Sequence, residues 1–145
     1  EYDFAAHIEE GLKVFCNETS LQDVFMNAID NGIDSMKLWK NHAQCPAGYR
    51  PRIEVRARGN GEFATVEVID NGQGFLVADM SRAFTPYFTT KGLDKGTGLG
   101  LHAMREIIRQ NGGSIEILSE AFKGATVRMK LPLATNGKAV GEEKE

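Results

Sequence analysis

A chain of 145 residues is one domain by length, large enough to bury roughly 70% of its unfolded surface. Its 41% hydrophobic and 26% charged content is that of an ordinary water-soluble globular protein. A net charge of −3 leaves no electrostatic footprint for nucleic acid or an anionic membrane, and no run of about 18 apolar residues could span a bilayer.

The chain starts at Glu1 and carries no signal sequence, so it is expected to be an excised domain of a longer protein. Residues 2–8 and 12–16 read as two short strands hinged at Glu10-Gly11. Asn17, Glu18, Thr19 and Ser20 offer N-cap residues for a helix over residues 21–38. There Leu21, Phe25, Ile29, Ile33 and Met36 share one face. Asn27, Asn31 and Asp34 follow at i, i+4 and i+7, expected on the opposite face, flanked by Asp23 and Asp30. Such a stripe can simply face water. Solvated helix faces, however, prefer Glu, Lys and Gln, whereas Asn and Asp weaken a helix interior, so a stripe of them suggests a ligand.

Residues 41–51, with Cys45-Pro46-Ala47-Gly48, read as a surface loop. Cys16 and Cys45 lie far apart with no metal-ligand spacing, as expected of reduced thiols in a cytosolic compartment. Residues 52–58 alternate charged and apolar side chains, a half-exposed strand. Gly59-Asn60-Gly61 then turns the chain into a β-branched strand over residues 62–69, with Val66 and Val68 on one face. Its end runs into Asp70-Asn71-Gly72-Gln73-Gly74, a carboxylate followed by glycines that let a ligand approach the backbone.

Residues 80–84 allow a short helix, and residues 85–97 have no sustained period and read as a mobile loop. Residues 99–110 form a helix with Leu101, Met104, Ile107 and Ile108 inward, stopped by Asn111-Gly112-Gly113. Residues 114–118 and 125–131 make a closing strand pair, and residues 136–145 are expected to fray or be disordered.

Single motifs leave alternatives open. Asp70 could be a turn acid, and Gly96-Thr97-Gly98-Leu99-Gly100-Leu101 a plain helix-entry turn. The glycine spacing is not the dinucleotide fingerprint, because a polar loop precedes it where a strand is required. It is not a Walker loop either, since no Lys-Ser or Lys-Thr follows the last glycine. His7, His42 and His102 do not cluster, and structural roles suit them.

Four elements in one order do more. The Asn stripe, the DNGQGF turn, AFTPYFTTK (residues 83–91) and GTGLGL together resemble the ATP-binding catalytic domain of bacterial sensor histidine kinases, in the GHKL superfamily. The resemblance runs over residues 2–133, and AFTPYFTTK with GTGLGL is most similar to the nitrogen-sensor type. It implies an α/β two-layer sandwich, the Bergerat ATP-binding fold: a mixed sheet with helices on one face and a mobile ATP lid. The expected domain is residues 1–135, with residues 136–145 as its tail.

The resemblance also implies residue roles. NAIDNGIDS (residues 27–35) is similar to the N box, with Asn31 holding Mg²⁺, Asn27 beside it contacting phosphate or ordered water, and Asp34 a further cofactor-binding candidate. Asp70 would accept a hydrogen bond from the adenine amino group, Gly72 and Gly74 would give the ring room, and Thr126 would support the same edge through water. Phe84, Thr89, Thr90 and Lys91 belong to the F box and lid, Lys91 as the γ-phosphate contact. Gly96, Thr97, Gly98, Leu99, Gly100 and Leu101 would form the phosphate turn, with the helix dipole adding about 0.3–1 kcal/mol. Asn27, Asn31 and Lys91 are the expected catalytic residues.

Position 32 is Gly and position 35 Ser, where the family more often has Ala. Gly32 costs roughly 1 kcal/mol of helix propensity and is expected to let nucleotide or lid come close. Hydrolysing relatives carry a glutamate base at the position of Asn27, and an amide cannot take a proton from water. The chain therefore resembles a phosphoryl donor, with a hydrolysing ATPase or a nucleotide-binding signalling module without transfer activity as the alternatives. His7 has no acceptor motif around it, so the acceptor histidine is expected on a separate dimerising helical hairpin, with a response regulator downstream. A monomeric, cytoplasmic domain without nucleic-acid or membrane contact is the accompanying expectation.

Overall fold

The computed structural model describes residues 2–74, 82–84, 99–120, 122–135 and 138–139. Five strands form one sheet in the order β1-β2-β3-β5-β4. They are β1 Asp3–Ile8, β2 Arg52–Gly59, β3 Phe63–Asp70, β4 Ser114–Glu120 and β5 Gly124–Pro132. β1 runs parallel to β2 and every other pairing is antiparallel, so the sheet is mixed as expected. Helices α1 (Glu18–Lys40) and α2 (Leu99–Gln110) pack on one face of it.

Local chemistry sets the helix ends. Asn17 caps α1, its Oδ1 accepting the Ser20 N–H at 2.9 Å, so the helix starts three residues earlier than its apolar pattern suggests. α2 ends where Gly112 takes φ +78°, which lets the Gly113 N–H reach the Ile108 carbonyl at 2.9 Å. Asn111 joins the two helices, accepting the Asn17 N–H at 2.8 Å and donating to the Ile107 carbonyl at 2.8 Å.

Val24, Ala28 and Met36 of α1 and Met104 and Ile108 of α2 meet Ile53, Val66, Val68, Val127, Met129 and Leu131 in one core. Burial along α1 centres on Val24, Ala28, Gly32, Met36 and Trp39. Leu21, Phe25, Ile29 and Ile33 form one half-buried shoulder of this face. Asn27, Asn31 and Asp34 form the other shoulder, not the opposite face; the face turned to water carries Asp23, Met26, Asp30 and Lys37.

The far face of the sheet is polar. Register aligns His7, Arg56, Glu67, Arg128 and Glu116 in one row across all five strands. Arg128 reaches both Glu67 and Glu116 at 3.0 Å, and Arg56 holds Glu54 at 2.6 Å. These partners let Glu54 and Glu67 be buried although they lie on the face without helices.

One expectation is corrected here. Residues 12–16 do not form a strand; they make a single bridge, Val14 to Leu133, through the Phe15 N–H on the Pro132 carbonyl and the Ala134 N–H on the Lys13 carbonyl, while the Leu133 N–H goes to Glu62. Of the expected tail, only β7 (Lys138–Ala139) is among the described residues, and it pairs with β6 (Ala134–Thr135). The expected helix at residues 80–84 is described only at residues 82–84, which form a turn; the lid at residues 85–97 lies outside the described residues. Cys16 and Cys45 are free thiols. Among the described residues, no helix is long and apolar enough to cross a membrane.

Candidate functional site

β3 delivers Asp70 at the edge of the core, beneath α1. Its Oδ1 accepts the Gly72 N–H at 2.8 Å, turning the chain back at once. Burial is the main influence on this carboxyl and lifts its pKa from 3.8 to about 6, against the Gly72 and Ala125 N–H groups, which favour the charge. Asp70 is thus a buried acceptor with little water to compete for it.

The loop after Asp70 is laid along α1. Gln73 N–H donates to the Ser35 carbonyl at 3.2 Å and Gly74 N–H to Ser35 Oγ at 3.4 Å. A Cβ on Gly72 would lie 2.6 Å from the Ser35 carbonyl carbon and 2.7 Å from the Met36 nitrogen. One on Gly74, at φ +72°, would lie 2.5 Å from the Glu120 carbonyl oxygen. The room these glycines make is therefore filled by protein, α1 in one case and the β4–β5 turn in the other, and not left for a ring. Gly32 behaves alike: a Cβ there would sit 3.3 Å from Asp70 Cβ and 3.3 Å from Ile53 Cδ1, so what comes close at Gly32 is Asp70 itself.

Asn71 turns outward and sews the loop to residues 49–52. Its Oδ1 accepts the Arg52 N–H at 2.8 Å and the Tyr49 hydroxyl at 3.3 Å, and its Nδ2 donates to the Arg50 carbonyl at 2.8 Å. Burial first, then the Asp70 charge, pushes Tyr49 up to about 12, which keeps it a neutral donor.

The residues expected at the phosphates come from α1 and α2. Asn27, Asn31 and Asp34 stand half-buried on their shoulder. A Cβ on Gly100, in the first turn of α2, would lie 4.0 Å from Asn31 Nδ2. Leu101 turns into the core, so its part is to seat α2. Leu99 opens the helix. Phe84 lies half-buried with the Arg105 guanidinium 5.2 Å from its ring centre. Thr89, Thr90, Lys91, Gly96, Thr97 and Gly98 lie outside the described residues.

Thr126 is a correction. It pairs with Ile69, whereas Ala125 pairs with Asp70. Alternate residues of a strand face opposite ways, so the Thr126 side chain leaves the sheet on the face away from Asp70. Ala125 takes that place and contributes its backbone N–H. Sequence reasoning noted Ser35 only as a departure from the family, and passed over Tyr49 and Gly124. Only Gly124 carried a signal, an isolated glycine between two strand patterns.

This arrangement can be set beside known proteins. Residues 16–135 match the family described as histidine kinase-, DNA gyrase B- and HSP90-like ATPase, and the chain belongs to that family. Sporulation kinase D of Bacillus subtilis is 34% identical over 128 residues, 88% of this chain and 23% of that protein. Sensor histidine kinase ZraS of Escherichia coli is 38% identical over 98 residues, 68% of this chain and 20% of that protein. The chain thus spans less than a quarter of these relatives. The catalytic domain of histidine kinase ThkA superposes with a TM-score of 0.73 at 26% identity, over 90% of this chain and 80% of that one.

Proposed function

We propose that this domain binds ATP with Mg²⁺ and donates the γ-phosphoryl group to a histidine on a separate dimerising helical hairpin, upstream of a response regulator. One observation supports the reading. Asn31 and Gly32, consecutive on α1, lie near Gly100 and Asp70 respectively, so a single turn of helix would join the proposed phosphate and base ends of the site. Asp70, buried and pinned, accepts from the adenine amino group. Gly96, Gly98 and Gly100 offer amides to the phosphates, and Lys91 their counter-charge.

The donor set fits Mg²⁺, since Asn31 offers an amide oxygen and Mg²⁺ takes few protein ligands and keeps several waters. When bound, the ion neutralises charge on the phosphates. Asn27 offers an amide where hydrolysis needs a base, so the domain holds ATP until an acceptor arrives. Phosphoryl transfer then rests on positioning and electrostatics. The domain is taken as residues 1–135, working as a monomer in the cytoplasm without nucleic-acid or membrane contact.

Asn31→Ala should remove most of the Mg²⁺-dependent gain in ATP affinity, about tenfold or more, and leave adenosine binding nearly intact. Calorimetric titration of both ligands with and without Mg²⁺ checks this. A variant that keeps the wild-type Mg²⁺ gain rules Asn31 out as the ligand.

A further inference from the structure

Phe122, in the β4–β5 turn, takes φ +66°, where bulky side chains are rarely found and the backbone cost is about 1–2 kcal/mol. Such a conformation persists only where its surroundings hold it. Here they do so on three sides. The Phe122 N–H donates to the Gln73 carbonyl at 2.6 Å. Its ring stacks on Trp39 with centres 5.2 Å apart and 25° between planes, and it meets His42 at 5.2 Å.

Trp39, buried near the end of α1, meets Tyr49 edge-on at 6.5 Å, and the Tyr49 hydroxyl reaches Asn71. One aromatic row, Phe122–Trp39–Tyr49, thus grips the loop at Gln73 from one end and at Asn71 from the other. Between those residues lies Gly72, whose N–H holds the Asp70 carboxylate. A glycine at position 122 would take this backbone conformation without steric strain. What only the aromatic residue adds is the anchor on Trp39.

We propose that Phe122 is a positioning residue for the base end of the site, holding the Asp70–Gly74 loop in its base-reading shape through the stack on Trp39 and the bond to Gln73. The proposal rests on the reading of Asp70 as the adenine acceptor. Phe122 touches no nucleotide; it acts through Gln73 and Gly72.

The test compares wild type, Phe122→Gly and Phe122→Tyr in the 145-residue chain, titrating Mg²⁺ with ATP and with inosine triphosphate, which has a carbonyl in place of the amino group. Wild type should prefer ATP by about tenfold or more, the worth of one good hydrogen bond. Phe122→Gly should unfold within a few degrees of wild type, because relief of the backbone offsets the lost stacking, yet its preference should fall below about threefold. Phe122→Tyr keeps the ring, and its hydroxyl can reach water because the side chain is 41% exposed, so it should retain the wild-type preference. Should the glycine variant not fold, Phe122→Asn, tolerated in the same backbone region, gives the same readout. A glycine or asparagine variant with the full preference overturns the role of Phe122. A wild type without preference overturns the Asp70 reading instead.

Discussion

Asp70→Asn should bind ATP about tenfold to a hundredfold more weakly than wild type and, above pH 7, should be the more stable protein. The binding loss follows from an amide that can present a donor to the adenine amino group. The stability gain follows from burial. The folded-state pKa of Asp70 lies at about 6, above its ordinary 3.8. A raised carboxyl pKa gives a stability contribution fully present below about pH 4 and lost as the pH climbs through about 6. A difference of about 2 units corresponds to roughly 3 kcal/mol, part of which the variant forfeits through weaker bonds from Gly72 and Ala125. Thermal unfolding of both proteins at pH 4 and pH 8, with ATP titrations at pH 8, checks the pair of effects. A variant less stable at pH 8 than wild type, or one that binds ATP equally well, contradicts the assignment. Wild-type affinity for ATP should also decline below about pH 6, as protonation removes the acceptor charge.

Gly124→Ala should be among the most damaging single-methyl changes in the chain. Gly124 takes φ +100°, and a Cβ there would run into the Asp70 carbonyl oxygen and lie 2.9 Å from the Asn71 Cα. Those are backbone atoms at the junction of β3 and β5, so no rotamer change can relieve them. Left-handed strain and overpacking together cost about 3–4 kcal/mol, a fall in Tm of roughly 10 °C for a chain of this size. Gly48→Ala is the control, with nothing within 4 Å of its new methyl, and should change stability by less than about 0.5 kcal/mol. Equal losses in the two variants would show that the contact at Asp70 is not tight.

Much of this was legible in the sequence because local rules settled it. The strands expected over residues 52–58 and 62–69 and found at 52–59 and 63–70, and the helix over residues 99–110 with its glycine stop, follow from period, turn chemistry and caps. The family followed from the order of the motifs and not from any one of them. What failed depended on long-range register. Thr126 was one residue out, and in a strand one residue is the whole difference between faces. The Asn stripe was set opposite the apolar stripe because the true centre of the buried face is marked by the small residues Ala28 and Gly32, which a hydrophobicity pattern underweights. The uses of Gly32, Gly72 and Gly74 are contacts with chain distant in sequence, and no local pattern holds that information. Phe122 gave no signal, since nothing in its neighbours announces a left-handed aromatic.

The central claim, that this domain is a phosphoryl donor to histidine and not a hydrolase, is tested most directly by radiolabelled γ-phosphate. The chain should bind ATP, hydrolyse it very slowly and leave itself unlabelled. With the matching dimeric helical hairpin added, label should appear on a histidine of the hairpin, stable to base and lost in acid, as a phosphoramidate requires. Lys91→Ala should slow that appearance more than it weakens ATP binding. Rapid hydrolysis by the chain alone, or acid-stable label on a serine of the partner, would contradict the account.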